Sequence, residues 1–413
     1  MERYDVAVVG GGFAGTCAAI AAAREGAKVI IIDKSNALGG AAVNCLVNPF
    51  MRSYYYEGDG IVHLSRGLFL KIRELLKAPS NGLFSEEQLK FILLDLAEEA
   101  GVEFLFRSYL CGVEKDGDKI TSLSFATVGG IEKIEADYFV DATGDAQLAF
   151  LAGCPTTLGR EPDHLCQPMT LCFRIGNVDV AKFRATGEEL QEKYKAALAR
   201  GEFINPRENL LIFNTTEPNV LHLNTTRVIK KNPTLAKDLT EAEILARRQV
   251  IEVFNFLKAN ADGMENAFIS STAAEIGVRE SRMIIGDYVL TESDCKALTK
   301  FEDRIAACNY DIDIHNPEGS GTSHYYFEGS DFYTIPYRSL IPKGATNMLV
   351  AGRCISSDHG AQASYRIMPT VCSIGEAAGV AIAIASRDKC GVRDIDVKKL
   401  QKTLVDNGAY IGD

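Results

Sequence analysis

The sequence has 413 residues and eleven cysteines, but it contains no Cys-x-x-Cys pair. Without that spacing, neither a zinc ribbon nor a thioredoxin-type redox pair is supported, and clustered iron–sulfur ligation has no support either. The odd number of cysteines, and the position of several of them in apolar helical runs, favour reduced core thiols in a reducing compartment. We therefore expect no metal site.

The chain also lacks a long apolar run and an excess of basic residues. Its longest apolar run, Val-Ala-Ile-Ala-Ile-Ala at 380–385, is far shorter than the roughly 20 residues that span a bilayer. The first predicted strand begins near Tyr4, which leaves no room for a signal peptide unless a leader was removed. The net charge of −11 argues against a nucleic-acid partner. We expect a cytoplasmic protein without a membrane span.

A glycine cluster follows the first strand. Tyr-Asp-Val-Ala-Val-Val-Gly at 4–10 is the continuous apolar run of a parallel strand that is buried on both faces. In the Gly-x-Gly-x-x-Gly motif that follows, Gly10 allows the tight turn, Gly12 lets the backbone approach phosphates, and Gly15 lets the next helix pack closely. A second strand ends in Asp33, where an acid binds ribose hydroxyls and disfavours NADP. This unit predicts dinucleotide binding, with NAD and FAD both open.

Three later stretches favour FAD over NAD. The first is the double glycine at 39–40, which indicates a loop that lies against an extended cofactor. The second is 107–145, where turn signals predict a three-stranded antiparallel meander, followed by a further apolar strand that runs into Ala-Thr-Gly-Asp. The third is 347–386, where a strand ends in Ala-Gly-Arg and a helix of small residues begins near Pro369. The N-terminus of that helix suits the flavin edge on which reduction places negative charge.

These stretches together resemble the FAD-dependent oxidoreductase family, bacterial flavoproteins with a glutathione-reductase-like nucleotide fold and an inserted domain. The broader superfamily includes the flavoproteins of succinate dehydrogenase, fumarate reductase and heterodisulfide reductase. The chain lacks the clustered cysteines of the last and the paired cysteines of disulfide reductases, and Cys166 and Cys172 are its closest pair in sequence. A second Gly-x-Gly-x-x-Gly is absent, which disfavours an internal NAD(P)H domain.

The predicted fold class is α/β, a Rossmann-like FAD-binding fold with an antiparallel meander and an inserted α+β substrate domain. The expected limits are 1–155 and 335–413 for the FAD-binding domain and 156–334 for the substrate or cap domain. The predicted FAD contacts are Gly10, Gly12, Phe13, Ala14, Gly15, Asp33, Lys34, Gly39, Gly40, Ala142, Gly144, Asp145, Gly352, Arg353, Thr370 and Val371.

Three residues are the candidates for catalysis. His359, predicted in the loop before the flavin-edge helix, would move a proton, or else would bond the backbone or the ribitol. Arg366 would bind a substrate carboxylate or the flavin C2=O, or else form a structural ion pair. The family resemblance points the segment of Arg279 and Arg282 at the pocket, whereas composition alone makes it a solvated charged face. If the segment is helical, the two arginines share one face with Glu275 nearby.

Other residues carry weaker predictions. His315 and His324 flank a glycine-rich loop that would close over the substrate or would be plain surface. Cys45 would be a small pocket residue, with a redox or covalent-flavin role as the alternative. The tyrosines at 54–56 would form a pocket wall or an interface.

The functional hypothesis is an FAD-dependent oxidoreductase that acts on a small polar substrate by hydride transfer to or from flavin N5, with an external electron donor or acceptor. Dehydrogenation of an alcohol or amine and reduction of an activated double bond use the same parts. The alternatives are an electron-carrying flavoprotein of a redox complex and a tRNA-modifying flavoenzyme.

Overall fold

The structure is a computed structural model that describes residues 3–161 and 163–412. Its strands, in chain order, are β1 Arg3–Val9, β2 Val29–Ile32, β3 Tyr54–Glu57, β4 Gly60–His63, β5 Glu103–Leu105, β6 Tyr109–Asp116, β7 Lys119–Thr127, β8 Gly130–Asp141, β9 Thr156–Leu158, β10 Phe173–Gly176, β11 Ile212–Asn214, β12 Leu221–Leu223, β13 Phe268–Thr272, β14 Arg282–Ile284, β15 Arg304–Cys308, β16 Ile312–His315, β17 Thr322–Tyr325, β18 Tyr333–Pro336 and β19 Met348–Val350.

Its α-helices are α1 Phe13–Arg24, α2 Ala41–Asn44, α3 Leu68–Leu75, α4 Glu86–Glu99, α5 Gln147–Leu151, α6 Val180–Ala185, α7 Gly187–Ala199, α8 Ala236–Asn260, α9 Glu292–Lys296, α10 His359–Tyr365, α11 Met368–Asp388 and α12 Val397–Asp406. One turn of 3-10 helix lies at Tyr337–Leu340.

The main sheet has the strand order β5-β2-β1-β8-β7-β6, and β19 pairs with β8. The neighbours β5, β2, β1, β8 and β19 are parallel, whereas β6, β7 and the first part of β8 form an antiparallel meander. The predicted α/β fold class with a meander is therefore confirmed. The sequence predicts a separate strand after the meander, and that detail is wrong. No turn interrupts 130–141, so one long strand pairs first with β7 and then with β1.

The two ends of the chain meet in the core of this fold, where α11 packs on α1. A Cβ atom added to Gly375 would lie 2.1 Å from the carbonyl oxygen of Ala14, and one added to Gly379 would lie 2.2 Å from that of Ala18. The contacts advance by four residues on both helices, so the helices run in the same direction with their N-termini at the same end. Small residues therefore allow the close packing that the sequence predicts for this helix.

A second, four-stranded antiparallel sheet has the order β11-β12-β10-β13. Its apolar side chains and those of α8 form a hydrophobic cluster that draws its buried members from 169–276. The predicted domain limits at 155 and 334 stay a prediction. The segment 180–199 forms two helices, α6 and α7, because Thr186 leaves helical geometry and Gly187 follows it.

The structure adds three observations on the cysteines, the apolar helix and possible metal ligands. All eleven cysteines are free. Helices α1 and α11 bring the sulfur atoms of Cys17 and Cys372 to 3.0 Å, although the two residues lie far apart in the sequence. Among the described residues one helix, α11, is long and apolar enough to cross a membrane, and its most apolar window is completely buried inside the protein. The described residues contain no group of three or more His, Cys, Asp or Glu side chains that could hold a metal ion.

Candidate active site

The glycine motif forms the turn between β1 and α1. Gly10 has φ of +103°, and a Cβ atom there would lie 2.4 Å from the carbonyl oxygen of Ala142. Gly12 caps α1 without a side-chain hydrogen bond, so the first N–H groups of the helix are available to an anion. Among the described residues, the nearest atom to a Cβ added at Gly12 is the Cα of Gly40, at 3.9 Å. The space beside Gly12 therefore fits the pyrophosphate of a dinucleotide.

The predicted cofactor-binding stretches converge on this turn. The double-glycine loop pairs with it directly, because Gly39 N donates to Gly11 O at 2.8 Å and Gly40 lies against Gly12. Ala142 N donates to Val9 O at 2.8 Å. From the C-terminal part of the chain, a Cβ added at Gly352 would lie 3.4 Å from that of Ala14. Segments that are far apart in sequence therefore surround one helix N-terminus.

Asp33 and Lys34 lie at the end of β2 beside the same turn. One carboxylate oxygen of Asp33 accepts from Gly11 N, and the other accepts from Ser35 N at 2.6 Å. The Lys34 ammonium contacts Glu275 of the second region at 2.9 Å. Asp33 therefore lies where a ribose-binding acid is expected. Lys34 links the end of β2 to the segment that precedes β14.

Arg353 and Asp145 form an ion pair at 2.7 Å on the other side of the turn. The Asp145 carboxylate also accepts from Ser281 Oγ at 2.6 Å. Gly144, with φ of +76°, lies so close to the Arg353 guanidinium that a Cβ would be 2.3 Å from it. This pair connects the Ala-Thr-Gly-Asp loop to the Ala-Gly-Arg loop.

The first turn of α11 carries Thr370 and Val371. The helix begins at Met368 and has Pro369 as its second residue, one position later than the sequence predicts. Its N-cap residue, Ile367, offers no side-chain hydrogen bond. The positive end of this helix dipole is thus available to an anionic group on a bound cofactor.

His359 pairs with a buried carboxylate. It is the first residue of α10 rather than a loop residue, because Asp358 caps that helix by accepting from Ala361 N at 2.8 Å. The distance from His359 Nδ1 to Glu280 Oε1 is 2.7 Å, and the Glu280 side chain is 0% exposed. The other ring nitrogen, Nε2, is buried and has no hydrogen-bond partner in the described part of the chain.

Two glutamines fix the position of Glu280. The second Glu280 oxygen accepts from Gln167 N at 2.8 Å. The Gln167 amide contacts that of Gln362 at 3.1 Å, and Gln362 donates to Arg279 O at 2.8 Å. Both Glu280 oxygens are therefore occupied, and the His359 ring is held in one orientation.

Arg279 is not on a helix. It lies in irregular chain before β14, and Arg282 lies within β14, so the prediction that the two share a helical face is wrong. The Arg279 guanidinium donates to Pro168 O at 2.7 Å and to the Thr170 hydroxyl at 2.5 Å. Burial, followed by the nearby charges of Arg366 and Arg207, lowers the pKa of Arg279 to about 9.

More arginines surround Arg279. Arg207 and Arg227 are 3% and 1% exposed, and Arg366 donates to Asp313 O at 3.1 Å. Burial lowers the pKa of Arg207, Arg227 and Arg366. Buried guanidinium nitrogens of these three side chains lack hydrogen-bond partners among the residues that the structure describes. The cluster can therefore accept an anion.

Few carboxylates balance this cluster. Glu208 lies 3.4 Å from Arg227, and Asp313 lies 3.3 Å from His315. Burial alone would raise the pKa of Asp313, but the hydrogen bond from His315 and the nearby cationic side chains lower it. Arg207 Nη1, Arg227 Nε and Arg366 Nη1 remain without a hydrogen-bond partner among the described residues.

The remaining candidates lie as follows. His315 is buried between Arg227 and Asp313, while His324 contacts Asp311 at 2.7 Å and is partly exposed. The glycine-rich segment between the two histidines is the turn of the β16–β17 hairpin. Burial raises the pKa of Cys45 to about 12, which keeps it a neutral thiol and disfavours a nucleophilic role. The tyrosines at 54–56 form β3.

Sequence reasoning missed several residues of this site, among them Glu280 and Arg207. Glu280 lies inside the motif Glu-Ile-Gly-Val-Arg-Glu-Ser-Arg at 275–282, and an acid between two arginines is the signal that could have marked it. Arg207 has no local signal, because only tertiary contacts bring it near Arg279.

Comparison with known proteins gives the family. A family model described as FAD dependent oxidoreductase matches residues 5–404. Digeranylgeranylglycerophospholipid reductase 1 of Methanopyrus kandleri is 27% identical over 40% of this chain and 45% of its own length. Dihydrolipoyl dehydrogenase 3 of Pseudomonas aeruginosa is 32% identical over 38% of this chain and 33% of its own length. The matched region thus spans less than half of these relatives.

Among solved structures, a geranylgeranyl bacteriochlorophyll reductase-like protein from Thermoplasma acidophilum matches 99% of this chain and 85% of its own, with a TM-score of 0.49 and 14% identity. The family model covers nearly the whole chain, and the glycine turn fits a dinucleotide. The chain therefore belongs to the FAD dependent oxidoreductase family, with FAD as its cofactor.

Proposed function

We propose that the protein is an FAD-dependent oxidoreductase for a small carboxylate-bearing substrate. Arg279, Arg366 and Arg207 would bind the carboxylate, His359 would move the proton, and Glu280 would position His359. The observation that carries this proposal is the buried arginine cluster with unpaired guanidinium nitrogens, next to the His359–Glu280 pair.

The physical reason for an anionic substrate is the cost of the buried cluster. An unsatisfied buried donor costs about 1–3 kcal/mol, and a charged one costs more. A carboxylate supplies several acceptor positions and binds a guanidinium in a bidentate manner. It would satisfy the Arg366 and Arg207 nitrogens that lack partners among the described residues. It would also offset the charges of Arg366 and Arg207, which add to burial in lowering the pKa of Arg279.

The His359–Glu280 pair supports a proton-transfer role. In this role Glu280 would accept the hydrogen on His359 Nδ1, which would leave Nε2 to take up or return a proton. General acid–base catalysis of this kind contributes roughly 10²–10⁴-fold to a rate. The same residues serve oxidation of the substrate and its reverse.

Flavin supplies the redox chemistry by accepting or donating a hydride, and the chain's residues supply binding and proton transfer. An electron-carrying flavoprotein without a substrate of its own needs no buried arginine cluster, so we do not propose that role. An RNA substrate needs a basic surface, and the net charge of −11 does not favour one.

The test is anaerobic bleaching of the FAD-loaded protein by a panel of hydroxy acids, amino acids and unsaturated acids, each compared with its neutral amide or alcohol analogue. We expect only the acids to bleach the oxidised flavin, or to reoxidise the reduced flavin. The substitution Arg366→Gln should weaken binding of the active acid by about 10-fold or more. Arg200→Gln is the matched control, since Arg200 is an exposed arginine that pairs with Glu202.

Two results would overturn the proposal. Neutral analogues that react as fast as the acids would show that the cluster does not bind the substrate. Unchanged affinity in Arg366→Gln would show that this arginine has a structural role only.

A further inference from the structure

The free hydrogen-bond donors of the buried arginine cluster fall into two sets. Arg279 already uses both of its terminal nitrogens in hydrogen bonds to protein oxygens. The buried guanidinium nitrogens of the cluster that lack a partner among the described residues belong to Arg366 on the one hand and to Arg207 and Arg227 on the other. These two sets come from different parts of the fold.

Arg366 lies at the end of the helix that carries His359. It is the C-cap residue of α10, and His359 is the first residue of that helix. Their spacing along the helix places both on one face, two turns or roughly 10 Å apart. An acidic group bound at Arg366 would therefore lie on the same side of α10 as the proton-transfer pair.

Arg207 and Arg227 lie at one end of the β11–β12 hairpin. Arg207 precedes β11 and Arg227 follows β12, and the two strands are antiparallel, so both arginines lie at the same end. Both are buried, and Arg207 Nη1 and Arg227 Nε are without a partner in the described part of the chain. Burial, followed by the charge of Arg207, lowers the pKa of Arg227 to about 10.

The four arginines outnumber the carboxylates beside them. Asp313 and Glu208 lie near these side chains, and Glu280 is already paired with His359. His315 does not help to balance the cluster, because burial and nearby charges lower its pKa well below its ordinary value and leave it neutral. A substrate with one carboxylate would leave a second buried positive charge uncompensated, which is costly.

Building on the proposed function, on which this step rests, we infer that the substrate carries two acidic groups, one at each set of free donors. Arg366 would bind the first group beside the proton-transfer pair, and Arg207 and Arg227 would bind the second. A dicarboxylate offers an acceptor group to each set, so charge-assisted hydrogen bonds form at both ends. A monocarboxylate would leave one set of buried charged donors unsatisfied.

Isothermal titration calorimetry of the FAD-loaded protein tests this inference without relying on turnover. The probes are the α,ω-dicarboxylates from malonate to adipate, each compared with its own monoamide and diamide, which keep the shape and remove one or both charges. We expect at least one diacid to bind with a Kd of about 1 mM or lower, and at least about 10-fold more tightly than its monoamide. The preferred chain length then reports the separation of the two anion positions.

A variant separates the two ends of the site. Arg207→Gln removes a donor from the second set and leaves Arg366 in place. It should weaken binding of the best diacid by about 10-fold or more and that of its monoamide by less than about 3-fold, whereas the control Arg200→Gln should change neither. If Arg207→Gln does not fold, as thermal unfolding would show, the comparison of diacid with monoamide in the wild-type protein still decides the question.

The outcomes distinguish this inference from the proposed function. A monoamide that binds as tightly as its diacid would overturn the inference alone, since one carboxylate would then suffice. Equal weakening of diacid and monoamide by Arg207→Gln would also overturn it, because both ligands would then share one anion position. If no diacid binds below about 10 mM the inference fails too. Diamides that bind as tightly as the diacids would instead refute carboxylate binding by the cluster, and with it the proposed function.

Discussion

Gly12→Ala should separate cofactor binding from folding. The backbone at Gly12 has φ of −68° and ψ of −179°, which alanine adopts without strain. Among the described residues, the atom nearest to the new methyl group is the Gly40 Cα, at 3.9 Å. The methyl group therefore fits the protein without FAD but projects into the space that we assign to the pyrophosphate.

The magnitude follows from the contacts that the methyl group displaces. A hydrogen bond between a backbone N–H and a charged phosphate oxygen contributes about 1.5–3 kcal/mol. Loss of one such bond raises the Kd for FAD by roughly 10- to 150-fold, and the bulkier Gly12→Val should abolish binding. The thermal midpoint of the FAD-free protein should change little, because alanine fits the backbone and the space at Gly12 and no side-chain cap is lost.

The control is Gly15→Ala, three residues further along the same motif. A Cβ there would lie 1.8 Å from the Gly10 carbonyl oxygen, so this variant should destabilise the FAD-free protein by about 3 kcal/mol or more. The assays are quenching of FAD fluorescence for affinity and thermal unfolding of both forms for stability. A Gly12→Ala protein that binds FAD as tightly as wild type would refute the position of the pyrophosphate.

Three further predictions concern catalysis, pH and packing. His359→Ala should slow flavin reduction by substrate by about 100-fold with FAD still bound, and Glu280→Gln should slow it by about 10-fold without raising KM; unchanged rates would remove the pair from the mechanism. Burial raises the pKa of Glu376 from 4.5 to about 7, so urea unfolding should show up to about 3 kcal/mol of stability lost between pH 5 and 8. Glu376→Gln should lack that loss, and parallel pH curves would contradict the assignment. Gly379→Ala should cost about 2 kcal/mol, because its Cβ would overlap the facing helix, whereas Gly187→Ala, with open space around it, should leave the thermal midpoint unchanged or raise it.

The glycine turn and the parallel strands around it were predictable because their signals are local. Glycine is favoured where one backbone segment approaches another closely. Gly10, Gly12 and Gly15 lie within six residues, so this short stretch alone indicates a close turn. The same reasoning predicts the packing of α11, where Gly375 and Gly379 alternate with alanines. Patterns of this kind can be recognised in the sequence because they depend on residues that are only a few positions apart.

The substrate half was less predictable because its contacts are long-range. Gln167, Glu280 and His359 come from three distant parts of the chain and meet only in the folded protein. The helical interpretation of Arg279 and Arg282 failed for a related reason. Arg282 belongs to β14, which pairs with β9, and spacing along the sequence cannot reveal that pairing.

The irregular segment 275–282 contacts both the loops around the cofactor turn and the groups that we propose for the substrate. Glu275 contacts Lys34 beside the cofactor turn, and Ser281 contacts Asp145 in the next loop of the same region. Between them, Arg279 contacts Pro168 and Thr170 of the second region, while Glu280 contacts His359.

Arg279 and Glu280 are adjacent in the sequence but contact different partners. A helix would instead place Arg279 and Arg282 on one face and would separate Glu280 from His359. The segment 275–282 therefore contacts both the loops around the cofactor turn and the groups that we propose for substrate binding and proton transfer.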